Sequence, residues 1–160
     1  MGEARWSRNM DRYFRSLDWE ALGVTDLDIA LANLTTLRAR RSSAFRAGFY
    51  VEAIALNATV IEFLLSLWYT AKTERRLARD DRLTLGGWIT RVSREGFDPD
   101  VVVGLRQFNQ VRRKAILRML LGEATYDDLR QAYVDYEPLV GLVAARVVKD
   151  FEGRRPRAKS

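Results

Sequence analysis

The sequence predicts an all-α protein, a five- to six-helix antiparallel bundle. Along most of the chain, apolar residues recur at spacings of three and four, which is the period of an amphipathic helix. No stretch shows the strict apolar–polar alternation that is typical of a half-buried strand. Capping residues and glycines divide the helical pattern into closely connected segments, and short connections favour antiparallel neighbours in a bundle.

The first half of the chain predicts three helices. An amphipathic pattern covers residues 6–17. A second helix is expected to begin at Thr25, because acidic residues follow this capping hydroxyl in the first turn. Ser42, Ser43 and Gly48 are expected to interrupt the chain after it. The longest pattern covers about 50–79 and is apolar around most of its circumference, which predicts a helix at the centre of the bundle.

The second half of the chain carries clear helix boundaries. Thr84 is expected to cap a short helix that Gly96 ends, and Asp98 followed by proline predicts the start of a long helix. That helix should stop at Gly122. Thr125 with an acid three residues later resembles a capping box. Pro138 is expected to kink or break the last helix.

The same boundaries indicate how the chain is organised. Residues 1–43 are expected to form an N-terminal helical extension and residues 44–151 the helical bundle itself. Residues 152–160, GRRPRAKS with the preceding glutamate, are basic and are expected to form a disordered tail.

Composition narrows the possible chemistry. Among the 160 residues there is no cysteine and no histidine. Disulfides, thiolate nucleophiles and sulfur-ligated zinc are therefore excluded, and the commonest general base and metal ligand are missing. Neither a metal nor another cofactor is predicted, because consecutive acids at a helix start, as after Thr125, are more often caps than ligands.

The net charge of +6 comes mostly from arginine. Such a bias is typical either of a GC-rich genome or of a protein that binds phosphate groups, and the scattered placement of the charges favours the first. No apolar core of a signal peptide is present in MGEARWSRNMDRY. The most apolar run, 60–69, contains Glu62 and is shorter than the roughly 20 residues needed to span a bilayer. A cytoplasmic protein without a membrane segment is expected.

The stretch FNQVRRKAIL, residues 108–117, contains the most informative polar residues. On a helix, Arg112 lies within about 40° of Phe108 and Met119, and also of Ile116, so that it is set into an apolar stripe. A desolvated guanidinium needs partners. Either an internal group such as Glu52, Glu62 or Tyr126 holds it, or it faces a phosphate in a cleft or interface. The candidate nucleic-acid contacts on this helix are Arg106, Asn109, Arg112, Arg113, Lys114 and Arg118.

Three leucines, Leu117, Leu120 and Leu121, project among the basic residues on the side of this helix that is expected to face solvent. Apolar side chains in such a position predict contact with another surface, most simply a second copy of the chain. The alternative is a helix that other parts of the bundle cover on two sides.

Around this stretch the chain resembles the HEPN superfamily (higher eukaryotes and prokaryotes nucleotide-binding domains). The family motif is an arginine, often followed by a polar residue, with a histidine four to six positions after the arginine. The segment 108–117 lies in that register. Three segments around it also resemble those of the family. AFRAGFYVEAIALNATVIEFLL and then LTLGGWI come before the stretch, and GEATYDDLRQAY follows it. The resemblance therefore covers roughly residues 44–136.

The resemblance implies a small, usually dimeric helical bundle, of which many members are RNases in toxin–antitoxin and defence systems. Arg112 takes the place of the motif arginine, and Arg113 takes that of its polar partner. Leu117 stands where the histidine should be, and leucine can neither transfer a proton nor donate a hydrogen bond. The resemblance therefore implies a degenerate, non-catalytic member of the family, a pseudoenzyme.

Two functions follow as hypotheses. The first is a homodimeric interaction or scaffold protein that works with a protein partner in a bacterial or archaeal assembly for antiviral defence or of the toxin–antitoxin type. The alternative is an RNA-binding module that uses the basic helix 106–118 for phosphate contacts. Catalysis is the least favoured of the possibilities.

Overall fold

A computed structural model of the protein describes residue 15, residues 26–75 and residues 83–151. The predicted first helix over 6–17, the charged segment 76–82 and the basic tail 152–160 lie outside these described residues, apart from Arg15. The predicted N-terminal extension is therefore covered only in its second half.

The described residues form six helices, and no strand occurs among them, so that the predicted all-α bundle is confirmed. The helices are α1 (Leu27–Arg46), α2 (Tyr50–Thr73), α3 (Leu85–Arg94), α4 (Pro99–Leu120), α5 (Tyr126–Tyr136) and α6 (Pro138–Phe151).

Local capping explains why several helices begin where they do. The hydroxyl of Thr84 accepts a hydrogen bond from the Gly87 N–H, and the Asp98 carboxylate caps α4 ahead of a proline. The Thr125 hydroxyl and the Asp128 carboxylate form a reciprocal capping box at α5. These three predicted starts are confirmed. The prediction for α1 was wrong by one residue, because the N-cap residue is Asp26, whose carboxylate accepts a hydrogen bond from the Ile29 N–H.

The start of α2 has a different cap. Its N-cap residue, Phe49, makes no hydrogen bond with its side chain. Instead, the hydroxyl of Tyr126 from α5 accepts a hydrogen bond from the Tyr50 N–H at 3.1 Å and donates one to the Gly48 carbonyl at 2.7 Å. The first orphan donor of α2 is thus satisfied by a residue that is distant in sequence.

Two helix ends differ from the prediction. Helix α1 runs through Ser42 and Ser43 to Arg46, and the chain turns only at Gly48, where φ is +83°. The expected boundary between an extension and the bundle, after residue 43, therefore falls inside a continuous helix. Helix α2 ends at Thr73, earlier than the predicted 79. At Pro138 the break is confirmed, since α5 ends and α6 begins there.

Helix α2 lies at the centre of the fold. It packs against α1, α3, α4, α5 and α6, and half of its 24 residues are buried. It is also the one described helix that is long and apolar enough to cross a membrane by length and composition, but 56% of its most apolar window is buried inside the protein. Burial of this kind is typical of the core helix of a soluble protein.

Candidate functional site

Helix α4 carries all of the residues that the sequence singled out except Leu121, which follows its last turn. Its N-terminal half packs into the core through Val102, Leu105 and Phe108. No residue of α4 after Phe108 is buried, although several are half-buried. The helix therefore extends beyond the core with its second half, and that half holds most of the candidate residues.

The six candidate nucleic-acid contacts do not form one surface. Asn109 and Arg112 are half-buried and face the core side of α4, whereas the other four are exposed: Arg106, Arg113, Lys114 and Arg118. The structure thus separates an internal polar pair from a set of basic side chains that solvent reaches.

Arg112 finds its direct partner on its own helix. Its Nη2 donates a hydrogen bond of 3.0 Å to Oδ1 of Asn109, one turn earlier. The Asn109 amide packs against the first turn of α3, where a Cβ added to Gly86 would lie 3.2 Å from its nitrogen. The Arg112 Nε is buried and has no hydrogen-bond acceptor among the described residues. This arrangement holds the guanidinium on its own helix, through an amide that packs against α3.

Of the three residues proposed from the sequence as partners of Arg112, Glu62 is the one whose charge interacts with it. This half-buried residue of α2 has a raised pKa because burial disfavours its charged form, while the Arg112 charge and the Leu85 N–H act in the opposite direction. Glu52 lies instead beside Arg40, at 3.9 Å, and the Tyr126 hydroxyl caps α2. Those two alternatives were wrong.

The raised pKa of Glu62 leads to a pH-dependent prediction. A carboxyl group whose pKa is higher in the folded than in the unfolded state contributes stability at low pH that is lost as the pH rises through that folded pKa. The free energy of unfolding of the natural protein, relative to that of a Glu62→Gln variant, should therefore fall as the pH rises from below 4.5. Urea unfolding of both proteins at pH 4 and pH 7 measures this difference.

The matched control is Glu52→Gln on the same helix, since Glu52 is exposed and pairs with arginine at the surface. Comparison of the two variants separates the loss of a surface ion pair from the effect of burial at Glu62. A Glu62→Gln difference that stayed constant or grew with pH would contradict the proposed effect of burial.

The acidic residues at the start of α5 serve the helix. Oδ2 of Asp128 accepts hydrogen bonds from the Thr125 N–H at 2.6 Å and from the Thr125 hydroxyl at 3.0 Å, and these bonds lower the pKa of Asp128. Within residues 26–75 and 83–151, no three acidic side chains are grouped so that they could hold a metal ion. The Asp128 carboxylate acts as a cap, as acids at a helix start usually do.

The second half of α4 ends in an exposed apolar surface. Leu117, Leu120 and Leu121 are 57%, 80% and 62% exposed, as the sequence predicted for a side that faces away from the core. Ile116 belongs to the same surface, with 52% exposed. Its predicted place on the buried stripe was wrong, because the core ends at Phe108 and only Ala115 and Met119 still touch it further along. We call these four residues the apolar end of α4.

A buried arginine on another helix was missed by the sequence analysis. Arg41 of α1 is only 3% exposed; its Nη1 donates to Asn57 Oδ1 at 2.7 Å, and its Nη2 donates to Glu137 Oε1 at 3.0 Å. In the sequence it follows Arg38 and Arg40, so that it looks like one more residue of a basic run at the end of α1. The signal was nevertheless present, because Arg41 shares the helical face of Leu34 and Ala44, both of which are buried.

Comparison with family models, with curated proteins and with solved structures finds no match. The structure therefore defines the class of protein, an all-α helical bundle, and the functional assignment depends on the residues of α4.

Proposed function

We propose that the protein is a non-catalytic, HEPN-like interaction protein that works as a cytoplasmic homodimer, as a scaffold or partner subunit in a bacterial or archaeal assembly for antiviral defence or of the toxin–antitoxin type. The observation that carries the proposal is the apolar end of α4. Four large apolar side chains exposed together at the end of one helix are a costly feature for a protein that never covers them.

The residue at the motif position supports the non-catalytic part of the proposal. Leu117 is exposed at the position where the HEPN motif has its histidine, and no histidine exists elsewhere in the chain. Arg112, at the position of the motif arginine, is bonded to Asn109 and half-buried. A leucine beside an internally bonded arginine favours contact with protein over proton transfer.

The homodimer is tested by the mass of the protein in solution. We expect light scattering after size-exclusion chromatography to give twice the 18.4 kDa of one chain, and a Leu120→Lys variant to elute as a monomer. A lysine in the middle of an apolar interface would have to lose its hydration without a partner. Far-UV circular dichroism shows whether the variant stays helical.

The control for this test is Leu142→Lys on α6, because Leu142 is 52% exposed and lies outside the apolar end of α4. It should remain dimeric. A natural protein that elutes as a monomer at micromolar concentration, or a Leu120→Lys variant that stays dimeric, would contradict the proposal.

The alternative function, RNA binding, is favoured by the exposure of four basic side chains of α4, Arg106, Arg113, Lys114 and Arg118. Fluorescence anisotropy of a labelled single-stranded RNA of mixed sequence, measured over a series of salt concentrations, distinguishes RNA binding from the interaction function proposed above. Binding through these residues requires an affinity that falls steeply with salt, by a slope of about 0.7 for each phosphate neutralised. The Arg106→Gln variant should reduce that slope, whereas Lys149→Gln on α6 should not.

A further inference from the structure

Helix α4 carries a regular row of exposed residues along the side that faces away from the core. Val103, which is 55% exposed, begins the row, and exposed residues follow it at alternating steps of four and three. At 100° per residue, all of them lie within about 40° of Val103. We call this row the α4 seam, and its six residues are Val103, Gln107, Gln110, Lys114, Leu117 and Leu121.

The spacing of the α4 seam is that of a coiled coil. Residues at alternating steps of three and four occupy the a and d positions of a heptad, which form the row that packs against a partner helix. The seam is apolar at its two ends, at Val103 and at Leu117 with Leu121, and it rises about 27 Å between them. The buried Leu105 and Phe108 point about 140–160° away from it. A partner can therefore cover the seam while α4 stays packed in the bundle.

The charged side chains along the α4 seam are all basic. Arg106 and Arg113 lie on one flank, about 60° and 80° from its centre line, and Lys114 lies in the seam itself. These three side chains are exposed and make no ion pair within the described part of the chain. Arg118, on the other flank, already has an acidic neighbour at 3.8 Å. Helix α4 contains no acidic residue after Asp100 in its first turn.

This composition decides what can cover the whole seam. A second copy of the chain can cover the apolar end of α4, but in no register does its own α4 bring an acidic residue from beyond the first turn to Arg106 or Arg113. RNA would satisfy the basic side chains and leave the apolar ones exposed. A helix that is apolar at its a and d positions and acidic at its e and g positions satisfies both, since e and g charges select the partner in such pairs.

We infer that the α4 seam binds an acidic amphipathic helix of a protein partner, whose apolar side chains cover the ends of the seam and whose carboxylates lie beside Arg106 and Arg113. This inference rests on the proposed interaction function, whose partner it names. Leu117 and Leu121 belong both to the seam and to the apolar end of α4, so that the partner and a second copy exclude each other. The partner therefore converts the homodimer into a one-to-one complex.

A labelled synthetic peptide of three heptads tests the inference. It has leucine at the a and d positions and glutamate at e and g, where like charges disfavour pairing of the peptide with itself. The control peptide has the same composition in an order without a heptad. We expect fluorescence anisotropy with the full-length protein to show at least ten-fold tighter binding of the heptad peptide, roughly the margin that one good apolar face adds. Light scattering should show the mass falling from two chains to one chain with one peptide.

Arg106→Glu separates this binding from the homodimer, because Arg106 lies nearly three turns before the apolar end of α4. The variant should weaken binding of the heptad peptide about five-fold, since it turns an attraction into a repulsion. It should leave the dimerisation constant nearly unchanged. The matched control is Lys149→Glu, the same reversal of charge at an exposed position of α6, which should leave peptide binding nearly unchanged.

The outcomes separate this inference from the proposed function. Equal binding of the two peptides, or an equal effect of the two variants, would reduce the attraction to net charge and overturn the inference. A heptad peptide that binds without dissociating the homodimer would overturn it as well. Binding of mixed-sequence RNA that Arg106→Glu weakens, without binding of the heptad peptide, would assign the seam to RNA instead. A monomeric natural protein that binds the heptad peptide would overturn the proposed homodimer and leave this inference standing.

Discussion

Replacing Glu137 by alanine is expected to lower the free energy of unfolding by about 2–3 kcal/mol, because it leaves the buried guanidinium of Arg41 without its carboxylate. Breaking a fully buried ion pair costs about 3–5 kcal/mol. The expected loss is smaller here because the Glu137 side chain is 41% exposed, so that water can partly replace its carboxylate in the variant. The Arg41 side chain, in contrast, is only 3% exposed. Urea unfolding followed by circular dichroism measures the loss.

The chain contains a matched control for this prediction. Glu52→Ala removes the carboxylate that lies 3.9 Å from Arg40, where both side chains are exposed. Exposed pairs contribute about 0–1 kcal/mol, so that this variant should lose little stability. If the Glu137→Ala loss equalled the Glu52→Ala loss, Arg41 would have to be stabilised without Glu137, which would contradict the role assigned to the pair.

The Arg41 pair also has a structural consequence. It joins α1 to the junction between α5 and α6, across 96 positions of the chain, and Asn57 of α2 holds the same guanidinium. Replacing Arg41 by methionine removes the buried charge itself. On that background, Glu137→Ala should therefore cost much less than in the natural protein, as expected for two residues that interact directly.

Leu105→Ala is expected to have an effect of about 3–4 kcal/mol, within the range of about 2–5 kcal/mol for the truncation of a buried leucine. Leu105 is completely buried in the half of α4 that contacts the core. The loss combines the apolar surface that is no longer buried with the cavity that remains, because the close-packed neighbours collapse only in part. Thermal or urea unfolding reports the loss.

The same substitution at Leu142, which is 52% exposed on α6, is the control and should cost less than about 1 kcal/mol. A similar loss at both positions would show that the core does not extend along α4 as the structure places it. Because the apolar end of α4 begins only after Phe108, the two halves of this helix should respond differently to truncation: the first in stability and the second in association.

The helix starts show what short-range sequence signals predict well. The caps at Thr84, Asp98 and Thr125 involve groups that lie within three residues of one another, so that the contacts form whatever surrounds the helix. The break at Pro138 is equally local, since proline lacks the N–H that an interior helical position requires. The pattern of α2 also predicted its central position correctly, because a helix that is apolar on most sides has to be covered on most sides.

The predicted candidate site was correct in some features and wrong in others. The sequence placed the leucines at 117, 120 and 121 on an exposed side and set Arg112 into the core-facing stripe, and the structure places them so. It also placed Ile116 in that stripe, which was wrong, because periodicity gives the direction of a side chain but not the point at which neighbouring helices end. Its choice among partners for Arg112 stayed open until the approach of α2 brought Glu62 near.

The sequence by itself therefore determined the helical class, most helix boundaries and the chemistry that the chain lacks, since these depend on residue types and on contacts within one or two turns. Only the tertiary structure decided which arginines are internal and which apolar side chains remain exposed. Arg41 and Arg112 both interrupt an apolar stripe, and nothing local distinguishes an arginine bonded to Asn57 and Glu137 from one bonded to its own helix. Burial is a property of several elements together, so it appears only when distant segments pack.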